Sequence, residues 1–287
     1  MGLRFLVVEG NTREARLAHK AAYGLMPSES YAAVLQGIEP GSVCDLAFPA
    51  DEGANLPDPA GLQTYDGVVL TGSALNVYDG SPAVMRQVDL MRAVYASGTP
   101  AFGSCWGIQI GVVAAGGEVR KNPQGREIGF ARRLVPTGAG RSHPMLAGRP
   151  AAYDAPAIHL DIVSTPPKDC TVLAANAVSE IQAAEIRFDG GTFWGVQYHP
   201  EFALDELATI LKRRLEILVA EGFCESLEDA ASYVADLAAL HAEPHRRDLA
   251  WRHGLDAEVL DPVRRTREIR NFLAERVKPA RSARGRE

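Results

Sequence analysis

The chain has 287 residues, of which 46% are hydrophobic, 23% are charged and 7% are aromatic. These proportions are typical of a folded globular protein, and they exclude a disordered chain, a collagen and a disulfide-stapled miniprotein. The formal charge of −6 gives no electrostatic reason to expect nucleic acid or an anionic membrane as the main partner. At this length we expect one large domain, or one domain with an appendage.

The four cysteines give no sign of a metal site or of a disulfide framework. Cys44, Cys105, Cys170 and Cys224 lie more than fifty residues apart, and no C-x-x-C motif occurs. No segment approaches the roughly 18 apolar residues that a membrane-spanning helix needs. We therefore predict a soluble, cytoplasmic protein that has no metal and no cofactor, and neither a membrane nor a nucleic acid as partner.

The charge is unevenly distributed, because the C-terminal tail is basic. Residues 264–287 contain nine basic and three acidic residues, so this segment carries +6 and the remainder of the chain −12. We favour a solvated helix that runs into a frayed, basic terminus over a binding arm.

Strands alternate with helices in the first part of the chain. Short apolar runs predict strands at residues 3–8, 66–71 and 101–103. Helical patterns follow the second and third of these strands, at residues 82–96 and 106–115. This alternation indicates an α/β fold with a doubly wound, mostly parallel sheet and helices on both faces.

The middle of the chain shows little helical periodicity. Short β-like runs lie at residues 127–135, 158–163, 171–175 and 183–188. A further strand is predicted at residues 194–198, after a glycine turn. We expect these strands to complete or decorate the sheet.

The last part of the chain is helical in pattern, at residues 204–221, 227–241 and 262–277. We predict one domain over residues 1–221 and an all-helical C-terminal extension over residues 222–287. The extension has apolar positions that can pack against the parent domain, which we favour over docking a partner or forming a homodimer. These positions are Leu249, Trp251, Leu255, Val259, Leu260, Ile269, Phe272 and Leu273.

A cysteine between two glycines is the first candidate for chemistry. Residues 103–107 read Gly-Ser-Cys-Trp-Gly, where a predicted strand gives way to a helix. This is the pattern of a nucleophile elbow with sulfur in place of oxygen, and a helix N-terminus favours a thiolate. By itself the motif leaves a small buried structural cysteine as an equal alternative.

The second candidate is Tyr-His-Pro-Glu, at residues 198–201. Side chains two residues apart in an extended chain project to the same side, and Pro200 keeps His199 out of the helical conformation. A carboxylate such as Glu201 fixes the tautomer of a neighbouring imidazole and raises its basicity, as the third member of a catalytic triad does. Without a nucleophile nearby, a surface His and Glu beside a turn would be the better interpretation.

The third candidate is the turn at Gly72 and Ser73, which follows another strand. A backbone N–H there, together with that of Trp106, would stabilise a developing oxyanion. All three motifs follow the carboxyl ends of predicted parallel strands, where open α/β sheets place their sites. This coincidence favours catalysis over three unrelated structural features.

These motifs resemble the signature blocks of the class I (triad) glutamine amidotransferases. Residues 103–109 read Gly-Ser-Cys-Trp-Gly-Ile-Gln, and residues 195–201 read Gly-Val-Gln-Tyr-His-Pro-Glu. Residues 69–73 are similar to that family's oxyanion strand, and residues 125–129 to the strand after its nucleophile helix. The resemblance covers residues 3–202 and implies a flavodoxin-like fold, as in the glutaminase domain of GMP synthase and its stand-alone relatives.

The resemblance implies hydrolysis of the glutamine γ-amide through a γ-glutamyl thioester. Cys105 would attack the amide carbon, and His199 would pass the thiol proton to the departing ammonia. Glu201 would orient His199, and water would then hydrolyse the thioester.

The resemblance also implies a glutamine pocket. Gln109 matches the position that helps to bind glutamine, and His159 and Leu160 lie where relatives carry a His-Gly-Asp segment whose backbone contacts the α-amino group. Leu160 replaces that glycine, and Ser73 replaces a second glycine of the oxyanion turn. Both changes keep a backbone N–H, but they alter the shape expected for the pocket.

Several hypotheses about function stay open. An α/β-hydrolase is disfavoured because Glu201 follows His199 by two residues instead of preceding it by many. A catalytically silent partner-binding module is disfavoured because the whole triad is present. The chain would either release ammonia for a separate synthase in trans or act alone on γ-glutamyl amides or peptides, and no nucleotide-activating motif is visible in it.

Overall fold

Residues 2–285 are described by the computed structural model, and they form two sheets surrounded by helices. The strands are β1 (Arg4–Val8), β2 (Val43–Ala47), β3 (Gly67–Leu70), β4 (Ala101–Ser104), β5 (Glu118–Lys121), β6 (Glu127–Pro136), β7 (Tyr153–His159), β8 (Asp161–Thr165), β9 (Cys170–Ala175), β10 (Ala183–Phe188) and β11 (Gly191–Val196). The helices before the C-terminal segment are α1 (Arg13–Tyr23), α2 (Pro27–Ile38), α3 (Pro59–Leu62), α4 (Pro82–Ser97), α5 (Trp106–Ala114), α6 (Leu204–Lys212) and α7 (Leu215–Ala220).

The central sheet has nine strands in the order β2-β1-β3-β4-β11-β10-β9-β6-β7. The first five are parallel to one another, and each later neighbour is antiparallel. The central parallel strands are buried on both faces, which explains why they are uninterrupted apolar runs in the sequence. This confirms the prediction of a mostly parallel α/β sheet that the middle strands complete.

Alternate residues of β1 pack in different hydrophobic cores, one on each face of the sheet. Leu6 and Val8 pack in a cluster with α4 and α5 on one face of the sheet. Phe5 and Val7 pack in a second cluster with α2 and the C-terminal helices on the other face. The sheet is therefore covered on both faces, and C-terminal residues supply part of one cover.

The chain turns at Leu160, where we predicted one strand over residues 158–163. β7 ends at His159 and β8 begins at Asp161, because the two strands pair with different partners. β7 pairs with β6 in the main sheet, whereas β8 pairs with β5 in a separate two-stranded ribbon. The prediction of a continuous strand was wrong at this point.

The strand predicted at residues 194–198 begins and ends earlier, because β11 covers Gly191–Val196. The residues after it turn, and the backbone N–H of Phe202 donates to the carbonyl of His199 at 3.2 Å. The extended conformation that we expected for His199 and Glu201 is therefore wrong.

The helix predicted over residues 204–221 is interrupted. α6 ends at Lys212 and α7 begins at Leu215, so Arg213 and Arg214 lie in the break between them. The sequence has neither glycine nor proline there, and its periodicity gave no sign of the interruption.

In the part that the structure describes, the C-terminal segment consists of helices joined by short turns and contains no strand. Its helices are α8 (Leu227–Ala242), α9 (Arg247–Arg252), α10 (Ala257–Leu260), α11 (Pro262–Arg265), α12 (Arg267–Phe272), a π-helical turn (Leu273–Val277) and α13 (Lys278–Ala283). Ile269 and Phe272 are buried with the sheet residues, whereas Leu249 and Val259 are buried with β6 and α6. The extension therefore packs on the body of the chain, as we expected, while the domain boundary at residue 222 stays a prediction.

The basic tail does not fit the solvated helix that we favoured. Arg265 is buried and donates to the carbonyl of Val259 at 2.9 Å, and Val277 is fully buried. Arg284 donates to the carbonyl of Tyr65 at 3.0 Å, so the tail is anchored as far as its last described turn. Trp251 is the exception among the predicted packing positions, because it is 71% exposed.

Membrane-spanning helices are absent from residues 2–285, where no helix combines the length and apolar character that crossing a bilayer requires.

Candidate active site

The predicted motifs follow the carboxyl ends of three adjacent parallel strands, at one edge of the sheet. β3, β4 and β11 are neighbours, and their carboxyl ends lead to Gly72, Cys105 and His199. All three residues line one cavity of about 500 Å³. The structure thus brings together the three motifs that the sequence analysis singled out, across 127 residues of chain from Gly72 to His199.

Cys105 has a backbone conformation that side-chain-bearing residues rarely adopt. Its φ of 53° lies in the left-handed region, at the boundary between β4 and α5. Its N–H donates to the carbonyl of Val196 at 2.7 Å, which ties the turn to β11. A Cβ atom on Gly103 would lie 2.8 Å from the backbone of Gly107, so the turn requires glycine there. This is the geometry of a nucleophile elbow.

His199 is fixed by contacts on several sides. Its backbone N–H donates to the carbonyl of Pro156 at 2.7 Å, and its ring stacks on Phe202 with the centroids 4.0 Å apart. A Cβ atom on Gly72 would lie 2.6 Å from Cε1 of the ring, so glycine makes room for the imidazole. The ring therefore has little freedom to leave its position.

A buried chain of hydrogen bonds extends away from the imidazole. Nδ1 of His199 lies 2.7 Å from Oε1 of Glu201, and the other carboxylate oxygen accepts from Oγ of Ser104 at 2.8 Å. The hydroxyl of Tyr31 lies 3.3 Å from the same Oγ. Ser104 and Tyr31 were missed in the sequence analysis, because no local pattern relates them to a carboxylate 97 or 170 residues away.

The environment of His199 stabilises its protonated form. Burial lowers the pKa of the imidazole, but the charge of Glu201 and the contact with Cys105 outweigh burial and raise it to about 10. Since Nδ1 bonds to Glu201, Nε2 is the nitrogen left for Cys105. At neutral pH the arrangement therefore favours an imidazolium beside the sulfur.

Of the residues predicted for the oxyanion hole, Gly72 and Ser73 line the cavity with Cys105, and Trp106 follows Cys105 in the chain. The carbonyl of Gly72 accepts from Nδ2 of Asn11 at 3.2 Å, which fixes the turn. Among residues 2–285 the backbone N–H groups of Ser73 and Trp106 have no hydrogen-bond acceptor. The indole of Trp106 is buried and donates to Gln87 at 2.7 Å. Two backbone donors are thus free, one at a residue that lines the cavity and one at the residue after Cys105.

The residues predicted to bind glutamine line the same cavity, and each already makes a hydrogen bond within the protein. Nε2 of Gln109 donates to the carbonyl of Asp161 at 3.2 Å. The ring of His159 lies 2.8 Å from Glu127, and the carbonyl of Leu160 accepts from the N–H of Asn122 at 2.9 Å. These bonds make the turn at residues 159–161 a fixed part of the cavity surface.

Basic residues that the sequence analysis did not single out for chemistry also line the cavity. Arg126 precedes β6, and Arg213 and Arg214 lie in the break between α6 and α7. Only the folded structure brings the two segments together.

Comparisons with known proteins agree with this geometry. A family model described as "Glutamine amidotransferase class-I" matches residues 46–217, which is more than half of the chain. The chain belongs to the class-I glutamine amidotransferase family. The match includes all three motifs, and it confirms both the predicted family and an amidotransferase or hydrolase activity.

Relatives of two kinds are found among characterised proteins. A γ-glutamyl-L-1-hydroxyisopropylamide hydrolase from a Pseudomonas species is 37% identical over 283 residues, covering 96% of this chain and 94% of that protein. A GMP synthase from Leifsonia xyli is 35% identical over 137 residues, covering 47% of this chain and 25% of that protein. The chain thus spans about a quarter of that synthase and nearly all of the amide hydrolase.

Solved structures confirm the fold. A glutamine amidotransferase from Thermotoga maritima has a TM-score of 0.65 at 15% identity, covering 97% of this chain and 99% of that one. A second, from Methylobacillus flagellatus, has a TM-score of 0.59 at 19% identity, covering 98% and 94%. At such identities the likeness concerns the fold, including the C-terminal helices.

Proposed function

We propose that this protein hydrolyses γ-glutamyl amides by itself, through a γ-glutamyl thioester on Cys105. The observation that carries the proposal is the hydrolase relative, which matches the catalytic body and the helical extension alike. A cavity of about 500 Å³ beside Cys105 also leaves space for a leaving amine larger than ammonia.

In the first half-reaction Cys105 is the nucleophile. Its sulfur attacks the γ-carbonyl carbon, and the N–H groups of Ser73 and Trp106, with the turn at Gly72, stabilise the oxyanion. The C–N bond breaks as His199 gives its proton to the leaving amine, which departs as a neutral molecule. The product on the enzyme is a γ-glutamyl thioester.

The second half-reaction consumes one water. His199, now neutral, takes a proton from water as the oxygen attacks the thioester carbon, and the sulfur leaves as thiolate. Glutamate is released, and His199 is again protonated beside Cys105. Glu201 acts throughout as the positioning residue, because its carboxylate fixes the ring and stabilises the imidazolium.

We also propose that the cavity surface around Gln109, His159 and Leu160 binds the glutamyl group. Their side-chain and carbonyl bonds fix the turn at residues 159–161, so its remaining backbone groups face the substrate in a defined arrangement. Leu160 narrows this part of the cavity relative to a glycine.

Release of ammonia from glutamine for a separate synthase is the second candidate function. The GMP synthase relative favours it, since the match covers only part of that longer protein. In that case a synthase would bind near the cavity mouth. The homodimer, the cytoplasmic location and the boundary at residue 222 also stay predictions from the sequence.

Steady-state assays of the purified chain distinguish the two functions. We expect a higher kcat/KM for γ-glutamyl-L-1-hydroxyisopropylamide and γ-glutamyl ethylamide than for glutamine, without any partner. Activity confined to glutamine, and raised by a co-purifying synthase, would contradict the proposal and support the ammonia donor. The Cys105→Ala protein is the control for hydrolysis by contaminants.

A further inference from the structure

Positive charge is concentrated on one part of the cavity that contains Cys105. We define this basic cluster as Arg126, Arg213 and Arg214, all of which line the cavity. Two consecutive residues in a helix break and one residue before a strand contribute to it. None of the catalytic roles proposed above uses these side chains.

The basic cluster has fewer carboxylates than guanidinium groups. Nε of Arg126 lies 3.2 Å from Oε1 of Glu221. Within residues 2–285, no carboxylate oxygen lies within 4 Å of the guanidinium nitrogens of Arg213 or Arg214. Nη1 of Arg214 donates to the carbonyl of Ile210 at 3.1 Å, which is a neutral acceptor. An anion entering the cavity would therefore meet uncompensated positive charge.

The pKa of Arg214 reflects the same excess of positive charge. Burial lowers the pKa of its guanidinium, and the positive charges of Arg213 and Arg126 lower it further. Three like charges close to one another in a partly desolvated place are unfavourable unless a negative charge joins them. Such an arrangement is typical of a site that binds an anionic group.

The basic cluster adjoins the part of the cavity where the glutamyl group would bind. The carbonyl of Ile158 lies 3.7 Å from the sulfur of Cys105. The next residue along, His159, pairs with Glu127 in the register of β6 and β7, and Arg126 directly precedes Glu127. A continuous surface therefore leads from the nucleophile to the first arginine of the cluster.

The glutamyl group of the substrate carries one anionic group. A γ-glutamyl amide bound with its γ-carbonyl at Cys105 carries a carboxylate on the α-carbon, three carbons beyond that carbonyl. Guanidinium groups bind carboxylates through paired, charge-assisted hydrogen bonds. The apolar side chains of Ile210 and Ile217 also line the cavity and reduce the competing water.

Building on the proposed γ-glutamyl amide hydrolysis, we propose that Arg126, Arg213 and Arg214 form the subsite for the substrate's α-carboxylate. The cluster then determines specificity, because a substrate whose α-carboxylate is amidated leaves the positive charges unpaired. A carboxylate carried by the leaving amine is the competing ligand for the same chemistry.

The test combines a change in the enzyme with a change in the substrate. We compare γ-glutamyl ethylamide with its α-carboxamide analogue, using wild type and the Arg213→Gln/Arg214→Gln protein. Wild type should favour the carboxylate by about 10-fold to 100-fold in kcat/KM, and the variant should lose most of this preference. A preference that is unchanged in the variant overturns the proposal.

Three controls distinguish binding of the α-carboxylate from a general effect of charge, from a loss of folding and from binding of the alternative ligand. Arg92→Gln removes an exposed arginine that pairs with Asp89, outside the cavity, and should leave the preference unchanged. Arg213→Gln alone, at an exposed position, carries the test if the double variant does not fold. If the variant instead loses a preference for γ-glutamylglycine over γ-glutamyl ethylamide, the cluster binds the amine-side carboxylate and the proposal is wrong.

A binding experiment keeps this inference separate from the proposed function. Calorimetry on the Cys105→Ala protein measures the affinity for γ-glutamyl ethylamide and for its α-carboxamide analogue without turnover. A carboxylate-dependent affinity that vanishes in the arginine variant supports the subsite even if wild type hydrolyses neither compound. Equal affinity for both compounds overturns it even if wild type hydrolyses both.

Discussion

Nδ1 of His199 lies 2.7 Å from Oε1 of Glu201, and the two residues are separated in sequence only by Pro200. Both side chains are buried, and a turn brings them together where an extended chain was expected. A buried carboxylate in such a place is costly unless it is hydrogen-bonded, and Ser104 binds its second oxygen. The pair is therefore a fixed electrostatic unit behind the sulfur of Cys105.

Replacing Glu201 with Gln should lower the pKa of His199. The negative charge that raises this pKa to about 10 is then lost, while burial, which lowers it, remains. The alkaline limb of kcat/KM, which follows loss of the imidazolium proton, should move to lower pH, and the rate should fall by about 10²–10⁴-fold. The pH–rate profile of γ-glutamyl ethylamide hydrolysis measures both effects.

The matched control for that experiment is Glu185→Gln. Glu185 also pairs with a histidine, because its carboxylate lies 3.2 Å from Nε2 of the partly buried His143, and neither residue lines the cavity. This variant should leave the alkaline limb where wild type has it. If the limb stays in place in Glu201→Gln as well, the assigned role of Glu201 is wrong.

Removing the hydroxyl of Ser104 should weaken catalysis without abolishing it. Ser104→Ala deprives the buried Glu201 carboxylate of one hydrogen bond, which is worth about 1.5–3 kcal/mol when the acceptor is charged. We expect a fall in kcat of about 10-fold, with KM little changed, because Ser104 contacts Glu201 and not the substrate. Tyr31→Phe, which removes the next hydroxyl along the chain of bonds, should have a smaller effect. Equal kcat values for Ser104→Ala and wild type would refute this positioning role.

Alkylation at neutral pH should modify one cysteine selectively. Burial raises the pKa of Cys44 and of Cys170 to about 11, so their thiols stay protonated and unreactive. Cys105 lies at the start of α5, and its sulfur contacts the imidazole of His199, which can accept the thiol proton. Peptide mapping after brief treatment with iodoacetamide should show label on Cys105 first, in parallel with loss of activity. Earlier labelling of Cys44 or Cys170 would contradict this.

The C-terminal helices should contribute strongly to stability through Arg149. Its fully buried guanidinium lies 2.7 Å from Glu258 and 2.7 Å from Glu268, and Glu268 also accepts from the hydroxyl of Tyr198 at 2.9 Å. Arg149→Met leaves the buried Glu268 without its cation and Glu258 with only the half-exposed Arg264, which should lower the free energy of unfolding by about 3–5 kcal/mol. Urea denaturation followed by circular dichroism measures the change, with Arg92→Gln as the exposed control. A loss below about 1 kcal/mol, the size typical of an exposed pair, would show that the network is unimportant.

Local sequence patterns identified most of the parallel core. The apolar runs that form β1, β3 and β4 are buried on both faces, and such uninterrupted runs can be recognised from the local sequence alone. β2 was missed because it is an edge strand that is mostly half-exposed, so its pattern is weak. Helix α1 was missed although Thr12 and Gly24 mark its ends, since Leu17 is the only aliphatic residue between them that is larger than alanine.

The candidate site was predictable only where its parts carry a local signature. The elbow at Cys105 and the pair of His199 and Glu201 are short motifs with fixed spacing. Ser104 and the basic cluster have no such signature, because tertiary packing alone brings their partners within reach. The break at Arg213 was equally invisible, since it depends on how α6 and α7 pack and not on a helix-breaking residue.

Mass spectrometry of the intact protein, quenched during turnover of γ-glutamyl ethylamide, tests the central claim most directly. We expect a γ-glutamyl adduct that maps to Cys105, and no adduct on any other residue. Cys105→Ala should form no adduct and lose hydrolysis by about 10⁴-fold or more, whereas Cys224→Ala should behave as wild type. Hydrolysis at the wild-type rate by the Cys105→Ala protein would contradict the account.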